Sequence, residues 1–311
     1  MRRVVFMGTP DFAVPTLASL HENKYQLVGV VTQPDRPKGR GQKLAASPVK
    51  EFALAHGLPV YQPERVKEPA FVSQLRALAP DVIVVVAYGQ ILSAEILTLP
   101  PYGCINVHAS LLPKYRGAAP IHWAVINGET VTGVTTMHMD RGMDTGDMIL
   151  KAEVPITCTD TTGSLHDKLA PAGARLLLQT LQQAAAGTAP REKQDGTQAT
   201  YAPLLKREHE RLDWGRTAQV LDCQIRGLNP WPGAFTCHRD RRLKVWRAVP
   251  LAEGTGGLPG TVRRVDREGI VVATAGGSLR LVELQPQNSK RMTATDYARG
   301  QHIEAGEQMG V

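Results

Sequence analysis

The first half of the chain alternates short apolar runs with helical stretches, and this alternation limits the possible folds more than any other feature. The runs are rich in β-branched residues and read VVFMG, QLVGVVT, DVIVVVAY, GCINVHA and GVTTMHM. Strands joined by helices usually lie parallel in one sheet that helices cover on both faces. DVIVVVAY is apolar along nearly its whole length, as expected of a central strand. The pattern predicts an α/β domain with a mostly parallel sheet, whose ligands bind at the carboxyl ends of the strands.

The character of the sequence changes after a helical stretch at 165–187. The segment that follows, TAPREKQDGTQATYAP, is polar and is typical of a linker. We therefore predict a first domain at 1–189, a linker at 190–206 and a second domain at 207–311. The second domain contains short β-like runs separated by glycine turns, which indicate a small antiparallel β-barrel. The tail beyond Ala294 has no pattern to which we assign a role.

Composition excludes several classes of protein. No apolar run approaches the roughly 20 residues of a membrane-spanning helix, and the apolar stretch in MRRVVFMG is too short for a signal peptide. The nine histidines form no HExxH or HxH group, and the four cysteines are widely spaced: Cys104, Cys158, Cys223 and Cys237. We expect a cytoplasmic protein with reduced thiols, without a metal site and without a membrane segment.

The net charge is +7, of which +4 lies from Arg207 onward. Such an excess raises affinity for polyanions such as RNA, but a small excess is also common in proteins that bind none. A basic loop, PDRPKGRGQK, carries four cations: Arg36, Lys38, Arg40 and Lys43. Its GRG triplet lacks the GxGxxG spacing of a dinucleotide-binding turn. Charge alone leaves both a solvated loop and a phosphate-binding loop open.

Asn106 and His108 interrupt the apolar strand INVHA near its carboxyl end. Residues two apart in a strand project to the same side, so these two side chains can act on one ligand. The turn SLLP that follows exposes backbone groups next to them. Taken alone, the pair could equally form hydrogen bonds to neighbouring loops.

A second loop, DRGMDTGDMI, contains three aspartates, of which Asp144 lies between two glycines. Glycine allows the backbone to turn sharply and to approach a ligand closely. A carboxylate next to His108 would favour the protonated imidazole and fix its orientation. We favour Asp144 for this role, but spacing alone does not separate it from Asp140 or Asp147.

These three residue types together suit acyl transfer to an amine or alcohol. The Asn can polarise a carbonyl group, the His can move protons and the Asp can orient the His. A covalent acyl-enzyme is the weaker interpretation. Ser110 lacks the GxSxG context of a nucleophilic serine, and Cys104 lies off the polar face of its strand.

Several motifs follow one another along the chain in the order seen in the folate-dependent formyltransferase family. Within that family, the chain most resembles the enzymes that formylate methionyl-tRNA. The resemblance covers essentially the whole chain and rests on FMGTPDFAVP, TQPDRPKGRGQKL, VVAYGQIL, INVHASLLPKYRGAAPIHWAVINGE, TTMHMDRGMDTGDMI and LNPWPGA. The NxHxSLLP and GxDTGD pieces are common to the wider family and indicate the reaction class. PDRPKGRG and LNPWPGA point more narrowly to a tRNA acceptor.

The resemblance implies a Rossmann-like first domain followed by a smaller OB-like β-barrel domain that helps to hold tRNA. It implies transfer of formyl from 10-formyltetrahydrofolate to methionyl-initiator tRNA for translation initiation, by direct attack and without a metal. The catalytic residues would be Asn106, His108 and Asp144. Those lining the folate site would be Ser110, Leu111, Leu112 and Pro113, and those contacting tRNA would be Arg36, Lys38, Arg40 and Lys43. Ala109 stands where some relatives have Gly or Pro.

Two alternatives remain at this point. A formyltransferase acting on an amino sugar or nucleotide amine would share the catalytic domain and differ in its acceptor. A catalytically inactive RNA-binding protein could keep the fold, although its catalytic trio is then expected to be broken. We expect a monomer.

Overall fold

The computed structural model describes residues 2–38, 43–252 and 257–310. They form two compact units that alternate along the chain. The first comprises 1–117, 131–155 and 166–202, and the second comprises 118–130, 156–165 and 203–311. Two short segments that precede the predicted linker therefore group with the second unit, and the predicted domain limits remain a prediction.

The elements up to residue 186 are, in chain order, β1 (Arg3–Gly8), α1 (Val14–Glu22), β2 (Gln26–Val31), β3 (Arg36–Lys38), β4 (Lys43–Ala45), α2 (Pro48–Ala55), β5 (Val60–Tyr61), α3 (Pro69–Ala77), β6 (Val82–Val86), α4 (Ala94–Leu97), β7 (Cys104–His108), α5 (Pro120–Ile126), β8 (Val131–His138), β9 (Met148–Pro155) and α6 (Thr162–Ala186). Those that follow are α7 (Ala218–Gly227), β10 (Phe235–His238), β11 (Arg241–Leu251), β12 (Val262–Asp266), β13 (Gly269–Ala273), β14 (Ser278–Pro286), β15 (Met292–Thr293) and α8 (Ala294–Gln301).

The first unit contains a seven-stranded sheet in the order β5-β2-β1-β6-β7-β8-β9. The pairs from β5 through β7 are parallel, whereas β8 pairs antiparallel with both β7 and β9. This confirms the predicted mostly parallel, Rossmann-like α/β sheet. Every residue of β6 is buried, as its uninterrupted apolar sequence predicts.

The order of the strands determines where a ligand can approach the sheet. Strands β2 and β5 lie on one side of β1, and strands β6 and β7, which come later in the chain, lie on its other side. In open α/β sheets the crevice at such a reversal, beyond the carboxyl ends of the strands, is the usual binding site. Val85 of β6 is paired with Asn106 of β7, so the polar pair lies one strand away from this reversal.

The second unit is built on a six-stranded antiparallel sheet. Its path is β10-β11-β14-β13-β12, and β15 pairs with β14. Apolar residues of α7, including Leu221 and Ile225, share one core with strand residues such as Val245 and Leu281. This confirms a smaller antiparallel β domain after the α/β domain.

The chain terminus connects the two edge strands of this sheet. The Val262 N–H of β12 donates to the Glu307 carbonyl (2.7 Å), and the Gly310 N–H donates to the Cys237 carbonyl of β10 (2.8 Å). Between these contacts Met309 is 1% exposed. The tail that the sequence pattern left unassigned thus closes the sheet into a ring of backbone hydrogen bonds and covers its edges.

The segment predicted as a linker is held against the first unit along most of its length. Glu192 and Met148 exchange backbone hydrogen bonds of 3.0 and 2.8 Å. Farther on, the Arg116 N–H donates to Thr200 (2.9 Å), and the Ala202 N–H donates to Arg116 (2.7 Å). Among the helices described, none is long and apolar enough to cross a membrane.

Candidate active site

Asn106 and His108 lie at the carboxyl end of β7, where they are 9% and 6% exposed. Burial of both faces of β7 explains why the rest of the strand is apolar. Among the described residues, no hydrogen-bond partner of the Asn106 amide is found, although its neighbours in the strand are fully packed. The amide is also not among the polar atoms that are sealed from solvent without a partner, so it remains accessible to a ligand.

Each of the two ring nitrogens of His108 faces an acceptor. Nε2 lies 2.9 Å from the Tyr115 carbonyl oxygen, and Nδ1 lies 3.7 Å from Oδ2 of Asp144. Neither acceptor can donate a proton, so a hydrogen on either ring nitrogen points at an oxygen atom. The contact with Tyr115 fixes the ring, and the Asp144 carboxylate lies just beyond hydrogen-bond distance on the other side.

Of the three aspartates in the second loop, only Asp144 is placed beside His108 in the described part of the chain. Its Oδ2 also accepts a hydrogen bond from the Gly117 N–H (2.8 Å). Asp140 instead binds within its own turn, to the Gly142 N–H and the Thr145 hydroxyl. Asp147 pairs with Arg191 (2.7 Å). Of the three carboxylates, Asp144 is therefore the one that lies near His108, and its role in orienting the imidazole stays a prediction.

The backbone of Asp144 is unusual. Its φ is +54°, in the left-handed region that favours glycine. Non-glycine residues in this region often occur at functional sites, where the surrounding contacts impose the conformation. The turn points the carboxylate toward His108.

The turn SLLP is tightly packed. Ser110 donates its hydroxyl hydrogen to the Lys114 carbonyl (2.6 Å), and Leu112 is buried with Met137 and Met148. Leu111 and Pro113 are half-buried, and the bond between Leu112 and Pro113 is cis. Of the four residues predicted to line a folate site, Leu111 and Pro113 are therefore the ones that expose side-chain surface.

The predicted tRNA loop begins and ends in a two-stranded hairpin formed by β3 and β4. Arg36 is exposed on β3, and the backbones of Lys38 and Lys43 are paired with each other. Arg40 lies outside the described residues. The base of the hairpin is fixed by Asp35, whose carboxylate accepts a hydrogen bond from Lys50 (2.6 Å). That bond, with a second from Gln62, lowers the pKa of Asp35.

Two side chains that the sequence analysis did not identify connect the loops of the site. Arg116 is 6% exposed and donates from Nε and Nη2 to Oε1 of Gln194 (3.0 and 2.7 Å). Nε2 of Gln194 donates to the Asp144 and Gly146 carbonyls (2.7 and 2.8 Å). No local signal could have found this contact, because Gln194 is 50 residues from Asp144 and lies in a segment with linker-like composition.

The site has no suitable nucleophile next to His108 among the residues described. Burial raises the pKa of the Cys104 thiol to about 12, which keeps it protonated at neutral pH. Ser110 uses its hydroxyl hydrogen within its own turn. What remains is an amide donor, an imidazole and a carboxylate, a set that can polarise a carbonyl group and move a proton. No group of three or more His, Cys, Asp or Glu side chains in the described ranges is arranged to hold a metal ion.

Comparison with known protein families assigns both parts of the chain. Residues 1–181 match the formyl transferase family, and residues 204–302 match the formyl transferase C-terminal domain. The chain is 55% identical over 312 residues to a methionyl-tRNA formyltransferase of Bacillus subtilis (strain 168), covering 100% of this chain and 98% of that protein. It is 50% identical over 308 residues to the methionyl-tRNA formyltransferase of Clostridioides difficile (strain 630), covering 99% of this chain and 100% of that one.

Solved structures of more distant proteins share the fold. An N-formyltransferase from Helicobacter canadensis, in complex with folinic acid and dTDP-3-aminofucose, matches with a TM-score of 0.66 at 20% identity, over 92% of this chain and 100% of that one. HypX from Aquifex aeolicus, in complex with tetrahydrofolic acid, matches with a TM-score of 0.64 at 16% identity, over 96% of this chain and 47% of that one.

Proposed function

The chain belongs to the formyl transferase family, and we propose that it transfers the formyl group of 10-formyltetrahydrofolate to the α-amine of methionyl-initiator tRNA. The observation that carries this proposal is identity of about one half, along the whole chain, to methionyl-tRNA formyltransferases. The enzyme would act as a monomer in the cytoplasm, in translation initiation. The buried Asn106 and His108, together with the half-buried Asp144, supply the chemistry.

The first step is attack by the amine. The α-amine of an aminoacyl ester needs no strong base, because α-amino groups titrate near pH ~8 and a useful neutral fraction exists at physiological pH. Its nitrogen adds to the formyl carbon, and the carbonyl electron pair moves onto oxygen. The Asn106 amide donates a hydrogen bond to that oxyanion, whose charge is absent in the ground state. The protonated His108 would donate a second from Nε2, in exchange for its present contact with the Tyr115 carbonyl.

In the second step the bond between the formyl carbon and the folate nitrogen breaks. The departing nitrogen takes up the proton that the attacking amine loses, relayed by the His108 imidazole or by water. The products are formylmethionyl-tRNA and tetrahydrofolate. Asp144 keeps the imidazole oriented throughout, and no covalent enzyme intermediate forms.

The donor is expected to lie in the crevice between β1 and β6, where the order of the strands reverses. Asn106 on the adjacent strand then faces the formyl group. Leu111 and Pro113 would form one wall through their exposed side-chain surface, while Ser110 and Leu112 would hold the shape of that wall from inside.

The tRNA backbone is expected to contact the basic hairpin loop that carries Arg36, Lys38, Arg40 and Lys43. Each lysine or arginine that neutralises a phosphate releases counterions, so replacing it should flatten the dependence of affinity on salt concentration. Asp35 supports this loop by fixing its base.

The acceptor is tested by direct competition. The enzyme is incubated with donor labelled in the formyl group and with either methionyl-initiator tRNA or a nucleotide-linked amino sugar. We expect label in the tRNA fraction and none on the sugar. Preferential labelling of the sugar would favour the alternative acceptor, which is supported by a fold shared with enzymes such as the N-formyltransferase of Helicobacter canadensis.

A further inference from the structure

The segment from Glu192 to Ala202, called the strap below, crosses the active-site loops of the first unit. Its first residue pairs with Met148, which follows the Asp144 loop, and its last residues pair with Arg116, which follows the SLLP turn. The Tyr115 N–H also donates to the Thr200 hydroxyl oxygen (2.9 Å). The strap therefore touches both loops that surround His108.

Gln194 is the strap residue whose side chain joins these loops. Its amide group uses both ends: Nε2 donates to the Asp144 and Gly146 carbonyls, and Oε1 accepts two hydrogen bonds from Arg116. A primary amide has two donor hydrogens and two acceptor lone pairs. All four are used here, so the side chain is fixed in one orientation.

The two ends of this amide control different members of the catalytic site. The donor end holds the left-handed turn at Asp144. The acceptor end holds Arg116, which lies between Tyr115, whose carbonyl contacts His108, and Gly117, whose N–H contacts the Asp144 carboxylate. Because Asp144 Oδ2 and His108 Nδ1 are 3.7 Å apart, a small displacement of either loop decides whether they pair.

We propose that Gln194 is a positioning residue that sets the distance between Asp144 and His108 through its two donor hydrogen bonds. The proposal rests on the proposed function for its kinetic consequences only. A purely structural role is the competing explanation, in which Gln194 does no more than provide an acceptor for the buried Arg116 guanidinium. The two explanations differ in which end of the amide matters.

Two substitutions test the donor end and the acceptor end of the Gln194 amide separately. Gln194→Glu keeps an acceptor for Arg116 and adds a charge pair to it, but it loses both donors and places an anion against two carbonyl oxygens. Gln194→Met keeps the length of the side chain and loses both ends. Gln198→Glu is the matched control, because Gln198 lies in the same strap, is exposed and forms its side-chain hydrogen bond with Asp195, away from the Asp144 loop.

The kinetic result expected is a fall in kcat of about 10- to 100-fold in both Gln194 variants, since misplacement of a catalytic group by about 1 Å has effects of this size. KM for methionyl-tRNA should stay within about twofold of the wild-type value, and Gln198→Glu should match the wild type. Retention of kcat within about twofold by Gln194→Glu would overturn the proposal, because the Arg116 contact alone would then suffice.

A second readout does not depend on the reaction. Amide hydrogen exchange of Gly117 reports its bond to the Asp144 carboxylate, whereas exchange of Ala202 reports docking of the strap. We expect Gln194→Glu, which keeps the acceptor for Arg116, to accelerate exchange at Gly117 and to leave Ala202 unchanged. Equal acceleration at both amides, or none at Gly117, would contradict the proposal. If the wild type transferred no formyl group to tRNA, the proposed function would be wrong. The exchange rates at Gly117 and Ala202 would still decide the role of Gln194.

Discussion

Among single side chains, Asp144 is the one that distinguishes this site, because it places a carboxylate next to His108. Three aspartates share one loop, and only Asp144 reaches His108, while Asp147 pairs with Arg191 and Asp140 binds within its own turn. Replacing each by Asn removes the charge with little change of shape. We expect Asp144→Asn to lower kcat by about 10²-fold or more, by leaving the imidazole without its orienting anion.

The other two substitutions are the matched controls for this prediction. Asp140→Asn and Asp147→Asn should change kcat by less than about fivefold, because neither carboxylate contacts His108. Formylation rates at saturating substrate provide the measurement. Equal losses in all three variants would mean that the loop needs its charges only for folding.

The sequence predicts the polar pair of the site but not its supports. Asn106 and His108 follow from the two-residue period of a strand, which is a local rule. The choice among the aspartates depends on the turn at Asp144, and the contact of Gln194 with Arg116 depends on how distant segments pack. Neither is encoded in spacing, so neither could be read from the chain alone.

At the scale of elements, the Asp144 loop is held close to the end of β8. A Cβ added to Gly146 would overlap the His138 carbonyl oxygen, a backbone atom that cannot move aside easily. Gly146→Ala should therefore destabilise the protein by about 1–3 kcal/mol and reduce turnover by displacing Asp144. Urea unfolding and formylation rates measure the two effects.

Gly196 in the strap provides the matched control for this change. A Cβ there meets nothing within 4 Å. Gly196→Ala should leave the free energy of unfolding within about 0.5 kcal/mol of the wild-type value or raise it slightly. Similar losses from both substitutions would show that the close approach of the loop to β8 is not what excludes a side chain.

The start of β1 carries a pH-dependent contact with Asp81. Its Oδ2 accepts hydrogen bonds from the Arg2 N–H (2.6 Å) and the Arg3 N–H (3.0 Å), and these bonds hold the pKa of the Asp81 carboxyl below its usual range. Because the folded pKa lies below the unfolded value of about 4, the contact stabilises the fold above that pH and is lost as pH falls through the folded pKa.

Asp81→Asn should accordingly lower the free energy of unfolding at pH ~7 and make its decline toward pH ~3 shallower. Urea unfolding at both pH values measures this. Asp240→Asn serves as the control, since Asp240 is exposed and no partner is found for it in the described residues. An acid decline in Asp81→Asn as steep as in the wild type would contradict the assignment.

Element boundaries could be predicted best where local chemistry defines them. The helix predicted at 165–187 extends over Thr162–Ala186, and Gly187 follows it with a φ of +71°. Strand β6 follows from its continuous apolar sequence. The linker-like segment is different, because its polar composition reflects a path over the protein surface, whereas its backbone pairing with Met148 and Arg116 is set by the tertiary fold.

At the scale of the whole molecule, the tail contributes to the second unit more than its sequence indicates. Met309 packs in the core of the β domain between the two edge strands. Met309→Ala should lower the free energy of unfolding by about 2–5 kcal/mol, the usual cost of truncating a buried methionine. Met143→Ala is the matched control, because Met143 is 65% exposed and should change stability by less than about 0.5 kcal/mol.

Calorimetry or urea unfolding of the two methionine variants measures whether the tail stabilises the second unit. A loss at Met309 no larger than at Met143 would mean that the β domain is stable without closure.

The fold class of both units could be predicted from the order and spacing of β-rich runs. Closure by residues 307–310 could not, because single bridges leave no periodic signal in the sequence.

We propose that this chain formylates methionyl-tRNA by direct acyl transfer with His108 at the reacting centre. The most direct test measures the rate at saturating labelled 10-formyltetrahydrofolate and methionyl-initiator tRNA, for the wild type and for His108→Ala. We expect the wild type to transfer label to the tRNA, and we expect the rate to be about 10²–10⁴-fold lower in the variant with tRNA affinity preserved. Absence of transfer by the wild type, or an unchanged rate in His108→Ala, would contradict it.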